Sequence, residues 1–477
     1  MKATRRVNPA RLTATVGFLC ALVLAGAGCH RGAERPDIVL VTIDTLRSDH
    51  CSIYGYPIPT TPNLDALAGK GVLYRRAYAE SSTTATSHAV LMTGRHFRTL
   101  GIAKNGGVLA PETVTLAEAL RDDGYATAAF VSSFPLHTRF GFSQGFDVYD
   151  DTFDIKEASI GRRKKDQQPH DRLASATREH FERWLVGRHD DRPLFLWIHF
   201  VDPHAPYHAP VPFPAIWPEG SKSAVKRYDA EVHYADQQLG QLLAVLAAQS
   251  SARERLVVVT SDHGEGLGDH QWMSHGVNLY EEAVRVPMIA SWPGHLPPGT
   301  AVEEPVGLLD VAPGILALLG IDAPTFSNGR NLFGPGDPAR SIFLQRRDYK
   351  STHEGNRKIS GEMTAIVELG SKLILAPGEE CRELYDLNAD PHELDDLLET
   401  GAAARPAKRA AAVASPAATP AGLATGREAA VPTPEAAARK LEDALAIWHE
   451  NFPVVDRTQP PLDKEARKAL RALGYVD

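Results

Sequence analysis

The chain has 477 residues, a net charge of −8 and 43% hydrophobic residues. That length holds two domains or one large domain with extensions, and the hydrophobic share is ordinary for a soluble globular protein. The acidic balance speaks against a nucleic-acid binder but leaves room for a locally positive site that takes an anionic small substrate.

Residues 1–29 read as an export signal. MKATRRVNPAR supplies a basic n-region and LTATVGFLCALVLAGAG an apolar h-region. The run is short for a membrane span, and no other candidate span follows. It ends at Cys29 in LAGAGC, which resembles a bacterial lipoprotein signal whose cysteine becomes the lipidated first residue. Gly26 stands where Leu or Val is usual. The expectation is an exported protein, periplasmic or at the cell surface, held to a membrane through a lipid on Cys29; a secreted soluble protein is the alternative. One such anchor makes the body peripheral. Cys20 leaves with the signal, and Cys51 and Cys381 remain free to pair in an oxidising compartment. No CxxC is present, which speaks against thiolate zinc and redox dithiols.

The body begins near Pro36. DIVLVTID (37–44) is a continuous apolar run, the pattern of a strand buried on both faces. ATAAFV (126–131), LFLWIHF (194–200), LVVVTS (256–261) and PMIASW (287–292) repeat it. Between them lie helical patterns: TPNLDALAGKG, TVTLAEALRDDG and the long DAEVHYADQQLGQLLAVLAAQ (229–249). Alternation of strand and helix predicts an α/β domain over 36–340 with a mostly parallel sheet. From about Ser341 the pattern shifts to short β-like runs, AIVELG and SKLILA, then ELYDLNADPHELDDL, read as a small α+β subdomain over 341–400. Residues 401–434 are rich in Ala and Pro and read as a disordered linker. A helical tail over 435–477 follows.

Sites in parallel sheets lie off the carboxyl ends of the strands. Asp44 in TIDTLRSDH, Thr84 before a helix, DPHAPYH (202–208) and SDHGEGLGDHQWMSHG (261–276) fall at such places. Singly each has an ordinary role: an Asp after a strand in a turn, a Thr as helix N-cap, SDHG as a loop. Together and in order they suggest a site.

DIVLVTIDTLRSDHCSIYGYPIPTTPNLDALAGKGVLYRRAYA, SHAVLMTGRH, SDHGEGLGDH, LYEEAVRVPMIASWPG, LLDVAPGILALLGI and ELYDLNADPHELDDL resemble the sulfatase family of the alkaline phosphatase superfamily. The resemblance covers about residues 36–400. It implies the alkaline-phosphatase-like fold, a central sheet flanked by helices with a smaller C-terminal sheet, and a divalent metal at the strand ends. The family motif is Cys or Ser, any residue, Pro, Ser, Arg, then a helix ending Leu-x-Thr-Gly-Arg. Against TATSHAVLMTGR, the nucleophile position is Thr84; Ser87, Thr93, Gly94 and Arg95 match, Thr86 replaces Pro and His88 replaces Arg. In sulfatases the Cys or Ser is oxidised to formylglycine. Threonine carries a methyl on that carbon, so oxidation would give a ketone, and no formylglycine is expected. The hydroxyl itself remains a nucleophile that a metal can activate. Relatives with threonine there, such as lipoteichoic acid synthases, phosphoethanolamine transferases and nucleotide pyrophosphatases, act on phosphorus.

The resemblance likewise assigns metal ligands Asp44, Thr84, Asp262 and His263. Thr45 stands at the second Asp of the family's first pair, and His263 where Asn is common. Gaining an imidazole while losing a carboxylate favours zinc or manganese over calcium or magnesium. A helix opening after Thr84 points N–H groups at an anion. His204 and His275 are candidates for assisting at the leaving group, and His88 completes the catalytic set. Asp202, His204 and His275 leave open a second metal. The family's lysine on the strand after the catalytic helix is missing from AAFVSSFPLHTRFG, where only His137 is nearby.

The expected protein is an exported metal-dependent hydrolase or transferase acting on an anionic small-molecule, glycan or lipid ester, a phosphate mono- or diester before a sulfate. A sulfuric ester hydrolase and a non-catalytic binding protein on the same fold are the alternatives. Mass spectrometry of the membrane fraction is expected to find a lipid-modified N-terminal Cys29; an unmodified mature start elsewhere refutes the anchor.

Overall fold

The computed structural model describes residues 35–154, 156, 170–213, 215, 217, 220–249, 253–324, 327–354, 357–399, 433–455, 457 and 459–473. The export signal with Cys29, and all but the last two residues of 401–434, lie outside the described residues.

The central sheet is built from β1 (Asp37–Ile43), β2 (Val72–Tyr78), β3 (Ala126–Phe130), β4 (Val148–Asp150), β5 (Leu194–Phe200), β6 (Arg255–Ser261), β7 (Arg285–Ser291), β8 (Thr300–Val302) and β9 (Val306–Gly307). Its order is β4-β3-β5-β1-β6-β7-β2-β8, with β9 also beside β2. Only β7 runs antiparallel to its neighbours. β1 is central and wholly buried. Ile38 and Leu40 pack on one face with Ala85, Ala89 and Leu91 of the helix Thr84–Thr93. Val39, Val41 and Ile43 pack on the other with Tyr228, Val232 and Leu239 of the helix Ser223–Ala248. Two-sided burial is why the run is continuously apolar rather than alternating.

The long helix starts at Ser223, earlier than the pattern from 229 predicts, because Val225 and Tyr228 extend its apolar face onto the core. β2 carries no strand signal in the sequence. Half-buried Arg75 and Arg76 interrupt its apolar run at a register shift against β7, between Tyr74 and Ala77.

A second, antiparallel sheet follows in the order β10 (Ile342–Glu354), β11 (Arg357–Glu368), β12 (Ser371–Ala376), β13 (Cys381–Asp386). One face packs on Tyr78, Leu279 and Ala283 of the main sheet's surroundings. The other face, with Ile366, Leu373 and Leu384, is covered by Leu441, Leu445 and Trp448 of the helix Pro434–Asn451. A last helix, Lys464–Ala472, returns to the main core through Ala466, Ala469 and Leu470. Cys51 and Cys381 are both free, so the pairing left open by the sequence is not made. Among the described residues no helix is long and apolar enough to cross a membrane.

The loop leading to Thr84 starts at a fully buried acid, Glu80. Burial, reinforced by the charge of Asp310, pushes Glu80 up from 4.5 to about 8. Between those values the folded chain keeps a proton that the unfolded chain has released. Stability therefore falls as pH rises through that window. Glu80→Gln, neutral throughout, is expected to flatten this fall, as read from urea unfolding of wild type and variant at both ends of the window. An equal stability difference at both pH values refutes it.

Candidate active site

Parallel pairing sets β1 against β6 with Ile43 opposite Ser261, so the next residues, Asp44 and Asp262, emerge side by side. Both are fully buried, as are His263 and Thr84. His263 Nε2 faces Asp44 Oδ1 at 3.7 Å, Asp262 Oδ2 at 3.5 Å and Thr84 Oγ1 at 3.3 Å. The His263 Nδ1–H donates to Gly264 O at 2.8 Å, which leaves the Nε2 lone pair directed at this cluster. Burial pushes His263 down to about 4 despite the Asp262 charge, so the ring is neutral at pH 7. Asp262 Oδ1 accepts from the backbone N–H groups of His263 and Thr45, at 2.8 and 3.2 Å, while Oδ2 is buried without a hydrogen bond. Thr45 holds φ at +56°, a strained value for a β-branched residue.

Thr84 opens a helix whose residues are all buried. Thr83 makes no side-chain cap, and the Ala85 N–H donates to Asn105 Oδ1 at 2.8 Å. That amide of the helix end is therefore spoken for. Asn105 Nδ2 is buried beside it without a hydrogen bond.

His88 lies beneath Thr84 rather than across from it. Trp197 Nε1–H donates to Thr42 Oγ1 at 3.0 Å, Thr42 Oγ1 meets His88 Nε2 at 3.1 Å, and His88 Nδ1–H donates to Thr84 O at 2.8 Å. Both ring nitrogens are engaged, and burial holds the ring neutral. The geometry makes His88 a support for the Thr84 backbone.

His199 on β5 was not singled out by the sequence, yet it is fully buried with Nε2 at 3.7 Å from Asp44 Oδ2. Ser132 N–H approaches its Nδ1 at 3.4 Å, which puts the ring proton on Nε2, toward the carboxylate.

Among the described residues, two groups of donor atoms have an ion's spacing: Asp44, Asp262 and His263, and His88, His199 and Asp262. The second includes His88, whose ring nitrogens are both engaged, and His199, whose Nδ1 faces the Ser132 N–H and whose Nε2 makes no hydrogen bond. The first offers two carboxylates, an imidazole lone pair that only the Thr84 hydroxyl meets, at 3.3 Å, and an orphaned buried oxygen of Asp262, and so fits a divalent ion.

His263 also packs against His275 in a tilted arrangement with ring centroids 4.5 Å apart, and His275 meets His204 edge-on at 4.9 Å. His275 Nδ1 is 3.1 Å from Glu265 Oε1. Three imidazoles thus run outward from Thr84. Asp202 accepts the Ala174 N–H at 2.8 Å, at the start of the helix Ala174–Val186. His137 pairs with Asp151 at 3.4 Å.

Buried acids, a neutral imidazole and a hydroxyl off parallel strand ends make the site of a metal-dependent hydrolase. Residues 36–321 match the family described as Sulfatase, and residues 268–410 match N-sulphoglucosamine sulphohydrolase, C-terminal. The chain belongs to the sulfatase family, a hydrolase family of the alkaline phosphatase superfamily whose enzymes use a divalent metal. It is 28% identical to arylsulfatase A of Homo sapiens over 460 residues, 81% of this chain and 88% of that protein. It is 27% identical to N-acetylgalactosamine-6-sulfatase of Sus scrofa over 363 residues, 65% and 67% of the two chains. Its fold matches the phosphonate monoester hydrolase of Agrobacterium radiobacter at a TM-score of 0.61 and 22% identity, over 76% of this chain and 91% of that one.

Asp44→Asn and Asp262→Asn are expected to lose metal while the fold survives. Elemental analysis with circular dichroism checks this; full occupancy in either variant refutes the assignment.

Proposed function

We propose that this chain hydrolyses an anionic phosphorus ester, a phosphate mono- or diester or a phosphonate monoester, through Thr84 as nucleophile. The observation that carries the reading is the buried Thr84 hydroxyl 3.3 Å from His263 Nε2, beside two carboxylates. The names of its relatives support an anionic ester, since they include both sulfatases and a phosphonate monoester hydrolase.

Asp44, Asp262 and His263 would hold the divalent ion, which when bound supplies Lewis-acid charge at the hydroxyl and at the ester oxygens. The imidazole donor favours zinc or manganese. The chain itself supplies the rest. Thr84 Oγ1 attacks phosphorus opposite the leaving group. The P–O bond to that group breaks, and the departing oxygen takes a proton from His275 or His204, which is restored by the proton that the Thr84 hydroxyl gives up. The phosphorus group is left on Thr84 with inverted configuration. Water, or an acceptor hydroxyl in a transferase, then attacks phosphorus as the bond to Thr84 Oγ1 breaks, and the proton it gives up returns to Thr84 through the same histidine. His88 holds the Thr84 carbonyl throughout.

Sulfate ester hydrolysis is the second reading, favoured by the names of the curated relatives. Formylglycine releases sulfate by breaking a carbon–oxygen bond, which a threonine ester cannot do. Location follows the sequence: an exported protein held by a lipid on Cys29, with plain secretion as the alternative.

Wild type, Thr84→Ala and Thr84→Ser should be assayed with several metals on aryl phosphate monoesters and diesters, an aryl phosphonate monoester and an aryl sulfate. The alanine variant is expected to lose a factor of about 10³ or more in turnover, and the serine variant to keep part of it. Near-wild-type turnover in Thr84→Ala refutes the nucleophile, and a preference for sulfate refutes the phosphorus reading.

A further inference from the structure

The C-terminal segment after the helix Pro434–Asn451 crosses back over the main domain and lies along loop 101–108. Gln459 spans that loop with one side chain. Its Nε2–H donates to Gly101 O at 2.8 Å, and its Oε1 accepts the Val108 N–H at 2.7 Å. Between those two points sits Asn105, whose Oδ1 accepts the Ala85 N–H next to Thr84.

The contact along the loop is close. Gly101 and Gly106 have φ of +69° and +88°. A Cβ on Gly106 would meet Leu470 Cδ1 at 2.8 Å, and one on Gly101 would meet Arg457 Cβ at 2.9 Å. Glycine lets the loop turn and lets the C-terminal segment press onto it. The loop contains no helix or strand, so its shape depends on such ties. Asn105 is nonetheless almost fully buried, at 3% exposure.

We propose that Gln459 is a positioning residue for the Thr84 site, fixing loop 101–108 so that Asn105 holds the first turn of the nucleophile helix. The inference rests on the reading of Thr84 as nucleophile, but one of its tests does not. Gln459→Leu keeps the volume of the side chain and removes both hydrogen bonds. Gln459→Glu keeps the acceptor for Val108 and loses the donor to Gly101.

A displaced nucleophile slows the chemical step more than it weakens binding. Gln459→Leu is therefore expected to lower kcat about tenfold with KM nearly unchanged, and Gln459→Glu to fall between it and wild type. The assay uses whichever aryl ester the wild type turns over. In an Asn105→Ala background the same change at Gln459 should cost almost nothing more. Losses that multiply across the two sites overturn the proposal.

Amide hydrogen exchange gives a second reading that needs no turnover. In Gln459→Leu the Ala85 amide should exchange about tenfold faster or more, while the helix Lys464–Ala472 keeps its protection. Unchanged exchange at Ala85 overturns the proposal, as does general loss of protection along the C-terminal helix, which would mark Gln459 as a mere tie for the tail. An active Thr84→Ala enzyme, by contrast, refutes the nucleophile and leaves the exchange result standing.

Discussion

Two carboxylates buried side by side govern this structure. Asp44 and Asp262 leave adjacent parallel strands at the same level, and both approach one nitrogen, His263 Nε2. Removing a carboxylate from water costs several kcal/mol even after relaxation. Neutral imidazoles return little of that, and burial keeps His263, His88 and His199 neutral at pH 7. A divalent cation meets the need, so the site is organised around a charge that the chain itself does not carry.

The surroundings keep these groups from relaxing apart. Thr45 is held at positive φ while its N–H donates to Asp262, so the turn after β1 is locked to the loop after β6. The relay from Trp197 through Thr42 and His88 fixes the carbonyl of Thr84 from below. From outside, the second sheet grips the segment that follows Asp262 and His263. Lys372 on β12 is fully buried and pairs with Glu281 at 3.0 Å and Glu393 at 2.9 Å. Glu282, next along from Glu281, holds His270 at 2.9 Å, within the same loop that carries His263 and His275. Such a network is costly to break once formed, because each lost partner strands a buried charge.

How much of this could be read in advance follows from burial. Strands buried on both faces announce themselves as apolar runs, and the acids at their ends were legible because sheet sites gather there. Asp44, Thr84, Asp262 and His263 do converge. β2 escaped because two arginines sit in its middle at a register shift. His199 escaped because a lone histidine in LFLWIHF has no periodicity to mark it. His88 was legible as a motif position, but its role was not: only the fold brings Thr42 of β1 onto its second nitrogen. Asn105 and Gln459 lie in irregular segments far apart in sequence, where neither pattern nor spacing speaks.

The charge count also bears on the ester. Asp44 and Asp262 contribute two negative charges, which one divalent ion would cancel. The arginine of the family motif is His88 here, neutral and fully engaged. The lysine of the following strand is absent, and Ser132 and Ser133 occupy that end of β3. The fixed cations that would draw a dianion inward are thus missing at both motif positions. A phosphate monoester would bring two negative charges to such a site, whereas a phosphate diester or a phosphonate monoester brings one. A sulfate ester also brings only one, so charge does not separate it from these; the release step does. Water can attack phosphorus in a phospho-threonine ester, but a sulfo-threonine lacks the carbon–oxygen cleavage by which formylglycine sheds sulfate. On the proposed reading of Thr84 as nucleophile, the release step favours a phosphorus ester.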